Sequence, residues 1–416
     1  MTSLNLTVRA LTKFPARVAA GVGMLITKVN GIWTFAFSGA NVPPGNVSDP
    51  ANTDIFVEMP DGSIAKVPVS VVNPGLVPFQ TGRRNAFING GFQVNQRRFA
   101  AADFVAATRQ VAIDRWGCKT GAGVPSFFSQ SAFNNNPPAP DGRAYQLLQF
   151  SGNAGMTTFD IDQRIEARNM GPLLRGTAVT FSAYIFNLSG GGATAFTPTL
   201  FVETPTALDN WAVSNVQNGG GAGEALQSCP VNAWTRVTWS ANIAGYANIG
   251  NGIAFRLRIP NGSLDASGKS LLLAQLQVEE VNAVGDPPSL FEPVDFATEL
   301  ASCQRFFSKT FPYTTKPAQN VGVTGGYYFS QNVGAAAGMT GAPVRFGTVM
   351  RTLPTLVLFN PSATNALARN TTAAADCSTT APVGTADSGF ALSVTTAAGS
   401  AAGQANIIHY TADAEL

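Results

Sequence analysis

The sequence predicts an all-β protein in which helix is a minor component. Glycine occurs 42 times and proline 26 times among the 416 residues, and both residue types disfavour helix interiors. Several segments alternate apolar and polar side chains with a period of two, as strands with one buried face do. Clusters of Gly, Asn and Pro separate these segments like the turns between antiparallel strands. Together these observations favour β-sandwiches over a parallel α/β core.

The first eighty residues predict two short β-hairpins. Asn30-Gly31 and Asp61-Gly62 are dipeptides that tolerate the positive φ angles of tight hairpin turns. The strand candidates that flank them are residues 24–28 with 32–37, and residues 55–59 with 64–69. A region this small buries little apolar surface by itself. We therefore expect it to be stabilised by assembly with another protein.

An aromatic row supports that expectation. Trp33, Phe35 and Phe37 alternate along one strand candidate, so they lie on one face of it. Contiguous apolar patches of this kind mark interaction surfaces when they are not covered by the protein itself. We predict that residues 1–80 form an attachment domain and that these three aromatic residues contact its partner.

The clearest strands lie between residues 85 and 294. Apolar and polar residues alternate in residues 179–185, 237–243 and 255–259, which indicates strands with one wet face. Two antiparallel sheets packed as a sandwich account for this pattern. We assign Trp116, Trp234 and Trp239 to the core of this sandwich because large aromatic residues within strand patterns are usually packed.

One short helix is predicted at residues 295–307. Asp295 is a suitable N-cap residue, and four apolar residues that follow it fall on one helical stripe. They are Phe296, Leu300, Cys303 and Phe307. We expect this helix to join two domains or to seal a sheet edge.

Residues 311–416 form a third region with very few charges. Only five charged residues lie between Pro317 and Ile408, so much of the surface is uncharged and available to other subunits. We predict a small, assembly-dependent β-sandwich. Its strand candidates are residues 327–331, 344–350, 355–360, 390–395 and 405–410.

Composition excludes several functional classes. The single histidine, His409, leaves almost no material for histidine-based triads or metal sites. Lysine and arginine number 26 against 24 acidic residues, so no basic excess points to nucleic acid. No apolar run approaches the length of a membrane span or a signal peptide, and we expect no membrane insertion. The four cysteines are too widely separated to form a metal knuckle, and we expect free, mostly buried thiols.

Several short phrases of the sequence resemble a known family. In order they are residues 85–93 (NAFINGGFQ), 114–116 (DRW), 233–239 (AWTRVTW), 273–279 (LAQLQVE) and 291–293 (FEP). This series resembles the carbohydrate-binding-module-like jelly roll of bacteriophage tail fibres and related phage structural proteins. Residues 299–307 (ELASCQRFF) resemble the segment that leads, in such fibres, into a C-terminal β-sandwich, and residues 349–361 are similar to part of that sandwich.

The resemblance implies a domain plan. Residues 1–80 would attach to the virion, residues 85–294 would form the jelly roll, residues 295–310 the connecting helix, and residues 311–416 a sandwich at the receptor-binding tip. It also implies a homotrimer that contacts phage tail or capsid proteins through its N-terminus and binds host surface polysaccharide. The protein would be made in the bacterial cytoplasm and would work in the virion. A capsid or head fibre, or a decoration protein, would use the same modules, and this alternative stays open.

The candidate carbohydrate-binding residues are Asp209, Asn210 and Trp211. They precede a glycine-rich run at residues 219–223, and an aromatic ring flanked by polar side chains can stack on a sugar while its neighbours bind hydroxyl groups. The alternative is a loop tryptophan tucked onto the sandwich.

A polysaccharide depolymerase is the competing hypothesis. Such an enzyme needs only two carboxylates, and Asp160 and Asp162 lie two residues apart on one face of a predicted strand, with Glu166 beyond. A solvated strand face or a bound calcium ion explains the same residues without catalysis. We expect no catalytic residues and no cofactor, with calcium as the alternative.

Overall fold

The computed structural model describes residues 84–132, 146–174, 178–341 and 343–416. Before residue 84 it describes only the backbone of five strands. The chain divides into two compact units, residues 1–81 and residues 82–416. Each unit is described by itself below.

The first unit contains the two predicted hairpins. β2 (Met24–Val29) and β3 (Ile32–Phe37) pair antiparallel, and β1 (Leu6–Val8) adds to β3. β4 (Asp54–Glu58) and β5 (Ile64–Pro68) form a separate hairpin. The side chains of Trp33, Phe35 and Phe37 lie outside the described part of the structure. Their assignment to a virion contact therefore stays a prediction.

The second unit begins with a jelly-roll β-sandwich of two antiparallel sheets. The seven-stranded sheet has the order β13-β12-β16-β10-β7-β6, with β14 paired to β12. Its strands are β6 (Gln110–Ile113), β7 (Trp116–Thr120), β10 (Phe159–Glu166), β12 (Thr199–Ala207), β13 (Asn210–Val216), β14 (Glu224–Ala225) and β16 (Gly252–Ile259). The alternation of apolar and polar residues in the sequence is realised as one buried and one outward face.

The opposing sheet has five strands in the order β15-β11-β17-β9-β8. They are β8 (Phe127–Ala132), β9 (Gln146–Ser151), β11 (Ala178–Leu188), β15 (Trp234–Ala241) and β17 (Ser270–Val281). Short helical turns occur between strands at Ala101–Asp103, Ala167–Asn169, Gly171–Leu174, Gly219–Gly221 and Ile249–Asn251. The predicted all-β class and sandwich architecture are confirmed.

Aromatic side chains fill the space between these two sheets. Trp116 is almost completely buried and contacts Phe87 and Phe92, with ring centroids 5.0 and 5.6 Å apart. Its indole Nε1 donates to the carbonyl of Asn89 over 2.8 Å, so its polar atom is satisfied inside the core. Trp239 is also buried. The core assignment of these two tryptophans is confirmed.

The core assignment of Trp234 is wrong. Trp234 is half-buried on the outward face of the five-stranded sheet, where it contacts Tyr184 and Phe186. Side chains alternate between the two faces of β15, so Trp234 lies on the face opposite to Val237 and Trp239.

The segment at residues 85–93 packs against β17. Gly90 packs so tightly that a Cβ at this position would lie 2.2 Å from the carbonyl oxygen of Leu276. Only glycine permits this approach to β17. Phe92 follows with a φ of 52° and is completely buried. Gly90 and Gly91 therefore allow the side chain of Phe92 to enter the core beside Trp116.

The connecting helix spans Phe296–Gln304. Asp295 caps it as predicted, since its carboxylate accepts the N–H of Thr298 over 3.1 Å. Its buried face carries Glu299 and Cys303, whereas Phe296 is exposed. Glu299 is buried because its carboxylate accepts the backbone N–H of Asn89. The predicted apolar stripe is therefore only partly realised, because Phe296 is exposed and the helix ends before Phe307.

The C-terminal sandwich contains a six-stranded and a four-stranded sheet. The first is arranged around β27 (Ala405–Asp413) and includes β18 (Phe307–Lys309), β19 (Tyr327–Ser330), β22 (Thr355–Phe359), β23 (Arg369–Asn370) and β24 (Ala375–Asp376). The second is arranged around β26 (Gly389–Thr395) and includes β20 (Gly338–Thr340), β21 (Val344–Arg345) and β25 (Thr379–Ala386). A buried apolar cluster with members on both sheets forms its core.

Two boundaries differ from the sequence-based expectation. The C-terminal sandwich already begins with β18, inside the stretch assigned to the connecting helix, because Phe307 pairs with Asp413 of β27. The strand predicted at residues 344–350 ends at Arg345. The four cysteines are buried and free, as predicted. Among the described residues, no helix is long and apolar enough to cross a membrane.

His409 predicts a pH dependence of stability. Its ring is buried, stacks on Phe311 at a centroid distance of 4.2 Å and donates from Nε2 to the carbonyl of Gly322 over 3.0 Å. Burial lowers the pKa of His409 below its ordinary value, against the opposing effect of that hydrogen bond. Below about pH 6.5 the unfolded chain therefore binds a proton that the folded chain resists. The free energy of unfolding should fall as the pH drops from 7.5 to 5.

The matching measurement is chemical denaturation across this pH range. His409→Gln should show a shallower decline than the native chain, because no other histidine is present. An equally steep decline in both proteins would contradict the assignment of this slope to His409.

Candidate functional site

The outward face of the seven-stranded sheet is densely charged. Along β10 the residues at even positions face outward, and Asp160 and Asp162 are among them. The register with β16 places Arg258 opposite Asp160 and Arg256 opposite Asp162. Cross-strand neighbours on one face lie close enough for opposite charges to pair. We call this surface, together with Arg109, the charged face.

Asp160 is held by two arginines. Arg258 binds both of its carboxylate oxygens, with distances of 2.7 and 2.8 Å from Nε and Nη2. Arg256 adds a contact of 3.2 Å to Asp160 and also binds Glu203 on β12 over 2.7 Å. The Asp160 side chain is only 5% exposed. Its charge is thus neutralised by paired, charge-assisted hydrogen bonds.

Asp162 is held in a similar way by Arg109. Nε of Arg109 lies 2.9 Å from each carboxylate oxygen, and Nη2 lies 2.8 Å from one of them. Gly117 of β7 makes room for this guanidinium, because a Cβ there would lie 2.4 Å from its atoms. Asp160 and Asp162 therefore share one strand face, as predicted, but they are neither solvated nor free of partners.

The last residues of the chain lie against the charged face. Nη1 of Arg164 donates to the carbonyl of Leu416 over 2.6 Å, and Nη1 of Arg109 reaches the same oxygen over 3.3 Å. Arg115, which precedes β7, pairs with Glu415. Burial and the nearby charge of Arg109 lower the pKa of Arg164 to about 10. Paired charges thus cluster where the C-terminal sandwich meets the jelly roll.

Further ion pairs link the two sandwiches. Arg97 of the jelly roll binds Asp413 of β27 over 2.7 Å. Arg305, just after the connecting helix, binds Glu166 of β10 over 2.8 Å. Lys309 of β18 donates to the carbonyl of Gln96 over 2.6 Å. These contacts join the jelly roll and the C-terminal sandwich into one compact unit.

The predicted carbohydrate-binding residues lie at the turn between β12 and β13. Asp209 occupies that turn with a φ of 52°, and its carboxylate accepts the N–H of Ala167 over 2.8 Å. The Asn210 side chain accepts the N–H of Ala212 over 3.1 Å. Trp211 belongs to strand β13, not to a loop. The polar atoms of Asp209 and Asn210 that make these contacts thus stabilise the hairpin.

Trp211 reaches the charged face. The guanidinium of Arg164 lies 5.1 Å from the centre of the indole ring, within cation–π range. Trp211 is half-buried, and its Nε1 is buried without a hydrogen-bond partner among the described residues. β13 is an edge strand of the seven-stranded sheet. The ring therefore stands at the border between the charged face and the exposed sheet edge.

Sequence reasoning did not find the arginines that surround Asp160 and Asp162. The available signal was the alternation of Arg256 and Arg258 along β16, which indicated only a wet face. Pairing with β10 is a long-range contact, and no local pattern specifies it. Among the described residues, no cluster of three His, Cys, Asp or Glu side chains could hold a metal ion.

Asp160 should matter for stability. Asp160→Asn removes the counter-charge of Arg258 and leaves Arg256 with only Glu203, at a position where the carboxylate is largely buried; this is expected to lower the free energy of unfolding by about 1–3 kcal/mol. Denaturant unfolding measures this difference. Asp265→Asn is the matched control, because Asp265 pairs with Lys269 at an exposed position and its loss should change stability little. Equal stability of Asp160→Asn and the native chain would show that the ion pairs contribute nothing.

Comparison of the sequence with protein-family models and with curated proteins finds no match. Among solved structures, the chain is similar to the CBM22-1 xylan-binding domain of Paenibacillus barcinonensis Xyn10C, with 16% identity, 41% of this chain and 87% of that chain covered, and a TM-score of 0.22. It is also similar to the C-terminal family 22 carbohydrate-binding module of Clostridium thermocellum Xyn10B, with 9% identity, coverage of 47% and 98%, and a TM-score of 0.26.

A third similar structure is the enzymatically active domain of bacteriophage CBA120 tailspike protein 4, with 9% identity and a TM-score of 0.26. The match covers 47% of this chain and 21% of the tailspike chain. At these scores the similarities carry no argument about activity. The assignment of the jelly-roll sandwich rests on its own sheet order and core.

Proposed function

We propose that this protein is a carbohydrate-binding structural protein of a bacteriophage particle, which binds host surface polysaccharide without cutting it. The observation that carries the proposal is that the two candidate catalytic carboxylates are already paired with arginines. Asp160 and Asp162 are buried and engaged by arginines, whereas a glycosidase needs one carboxylic acid and one carboxylate facing the sugar bond. Because Asp160 and Asp162 maintain the structure, we infer that the protein binds a sugar and does not cleave it.

Trp211 supplies the apolar surface in this proposal. An indole at a sheet edge offers a flat face for the C–H groups of a sugar ring. Arg164, next to that ring, adds hydrogen-bond donors for hydroxyl groups. Such shallow sites bind weakly, and several copies on one particle would supply the useful affinity.

Two observations support a role in a virion. The first is the order of the sequence phrases that resemble phage fibre proteins, and the second is the division of the chain into two compact units. Residues 1–81 form a separate compact unit, which suits an attachment domain on a tail fibre. A capsid fibre or decoration protein stays the alternative, since it would differ from a tail fibre in the part of the virion to which residues 1–81 attach.

Assembly as a homotrimer belongs to the same proposal. The C-terminal sandwich has few charges and exposes large apolar side chains that a neighbouring subunit would cover. Examples are Val349, Leu353 and Val357, which are 58%, 61% and 46% exposed.

Trp211→Ala tests the carbohydrate-binding site. Purified full-length protein should adsorb to host cells and compete with the phage, and the variant should adsorb about tenfold more weakly because the stacking surface is lost. Trp234→Ala is the matched control, since Trp234 is half-buried on the outward face of the other sheet. Neither protein should release reducing ends from polysaccharide. Release that disappears in Asp162→Asn would replace the binding proposal with a depolymerase.

Removal of residues 1–80 tests the attachment domain. The remaining chain should fold, because residues 82–416 form their own compact unit, and it should still bind cells. Particles assembled with the truncated protein should lack it, as measured by immunoblotting of purified virions. Normal amounts on the particle would place the attachment elsewhere in the chain.

A further inference from the structure

An open cleft lies on one side of the C-terminal sandwich. It is bordered by β19 of the six-stranded sheet and β20 of the four-stranded sheet and has a volume of about 490 Å³. Among the described residues, β19 pairs only with β27, and β20 pairs only with β26. Both strands are therefore sheet edges, and the cleft opens where the two sheets separate. Neither the jelly roll nor the charged face contributes to it.

The floor of the cleft is apolar. Phe329 and Met339 line it and belong to the buried core of the sandwich. Gly341 lies beside the ring of Phe329 and hydrogen-bonds through its N–H to Leu392 of β26 over 2.7 Å. These contacts pack the base of the cleft against the core of the sandwich.

Tyr328 provides an aromatic wall. Burial alternates along β19, so Phe329 faces the core while Tyr328 and Ser330 face outward. Tyr328 is 52% exposed, and no other described ring or hydrogen-bonding group engages it. An exposed tyrosine of this kind presents a flat apolar face with a hydroxyl group at its edge.

Three polar side chains complete the lining. Ser330, Asn332 and Thr340 are exposed in the cleft, and among the described residues none of them donates or accepts a side-chain hydrogen bond. The buried Gln331 fixes the segment that carries Asn332, because its amide donates to the carbonyl of Val333 over 2.9 Å and to other buried groups. The three polar side chains are therefore available to a ligand.

Of the residues that the structure describes, those that line the cleft are all uncharged. An ionic ligand would have to give up water without gaining a counter-charge, which is unfavourable. A ligand with an apolar face and several uncharged hydroxyl groups matches every group in the lining. Peptide binding along an edge strand would use backbone groups and would leave the Tyr328 face and the three side chains unexplained.

We propose that this cleft binds a neutral sugar residue of a glycan, with the ring stacked on Tyr328 and its hydroxyl groups bound by Ser330, Asn332 and Thr340. This inference rests on the proposed function for its ligand class, but it places a second binding site on the C-terminal sandwich. We expect the cleft to select uncharged sugars, whereas the site at Trp211 is surrounded by arginines.

The test uses the full chain on a dense array of immobilised neutral oligosaccharides and uronic acid oligosaccharides. The native protein should bind neutral glycans, and Tyr328→Ala should bind them about tenfold more weakly because stacking is lost. Tyr328→Phe keeps the ring and should retain binding within about threefold. Thr340→Val, which removes one hydroxyl group at nearly constant volume, should weaken binding by a smaller factor than Tyr328→Ala.

Phe127→Ala is the matched control, because Phe127 is an aromatic residue of the jelly roll that is 44% exposed. It should bind as the native chain does, and thermal unfolding should show that all variants fold. Neutral-glycan binding that survives Tyr328→Ala but disappears in Trp211→Ala would overturn the cleft and leave the proposed function standing. Binding confined to uronic acid glycans would also overturn the cleft. A native chain that binds no glycan would overturn both proposals.

Discussion

The requirement that buried charges be paired governs this structure. The charged face brings Asp160 and Asp162 out of water, which is tolerated only because Arg258, Arg256 and Arg109 neutralise them with short hydrogen bonds. The same group of arginines extends to the last residues of the chain. One network therefore fixes the outward face of the jelly roll and its junction with the C-terminal sandwich.

The network also bears on where we propose that ligands bind. The centre of the charged face is occupied by paired side chains and by the backbone of Leu416. The two aromatic groups that we propose as sugar-stacking surfaces lie at sheet edges, Trp211 beside Arg164 and Tyr328 in the cleft. Sheet edges are accessible to a ligand, whereas the inner faces of both sandwiches are buried where the two sheets pack against each other.

Local patterns predicted the strands well, because a period of two depends only on neighbouring residues. The alternation in residues 255–259 and the Asp295 cap both appear where the sequence placed them. Trp234 shows the limit of that reasoning. The tryptophan lies in a correctly predicted strand, but whether it belongs to the core depended on which face of β15 met the other sheet.

The sequence by itself determined the all-β class, the two N-terminal hairpins, the free buried cysteines and the capped helix, since each depends on residues close together in the chain. Tertiary structure alone decided the partners of Asp160, the close packing of Gly90 against Leu276, and the cleft beside Tyr328. These features join segments that are far apart in sequence. Their formation follows from sheet order and register, which a local pattern of apolar and polar residues does not encode.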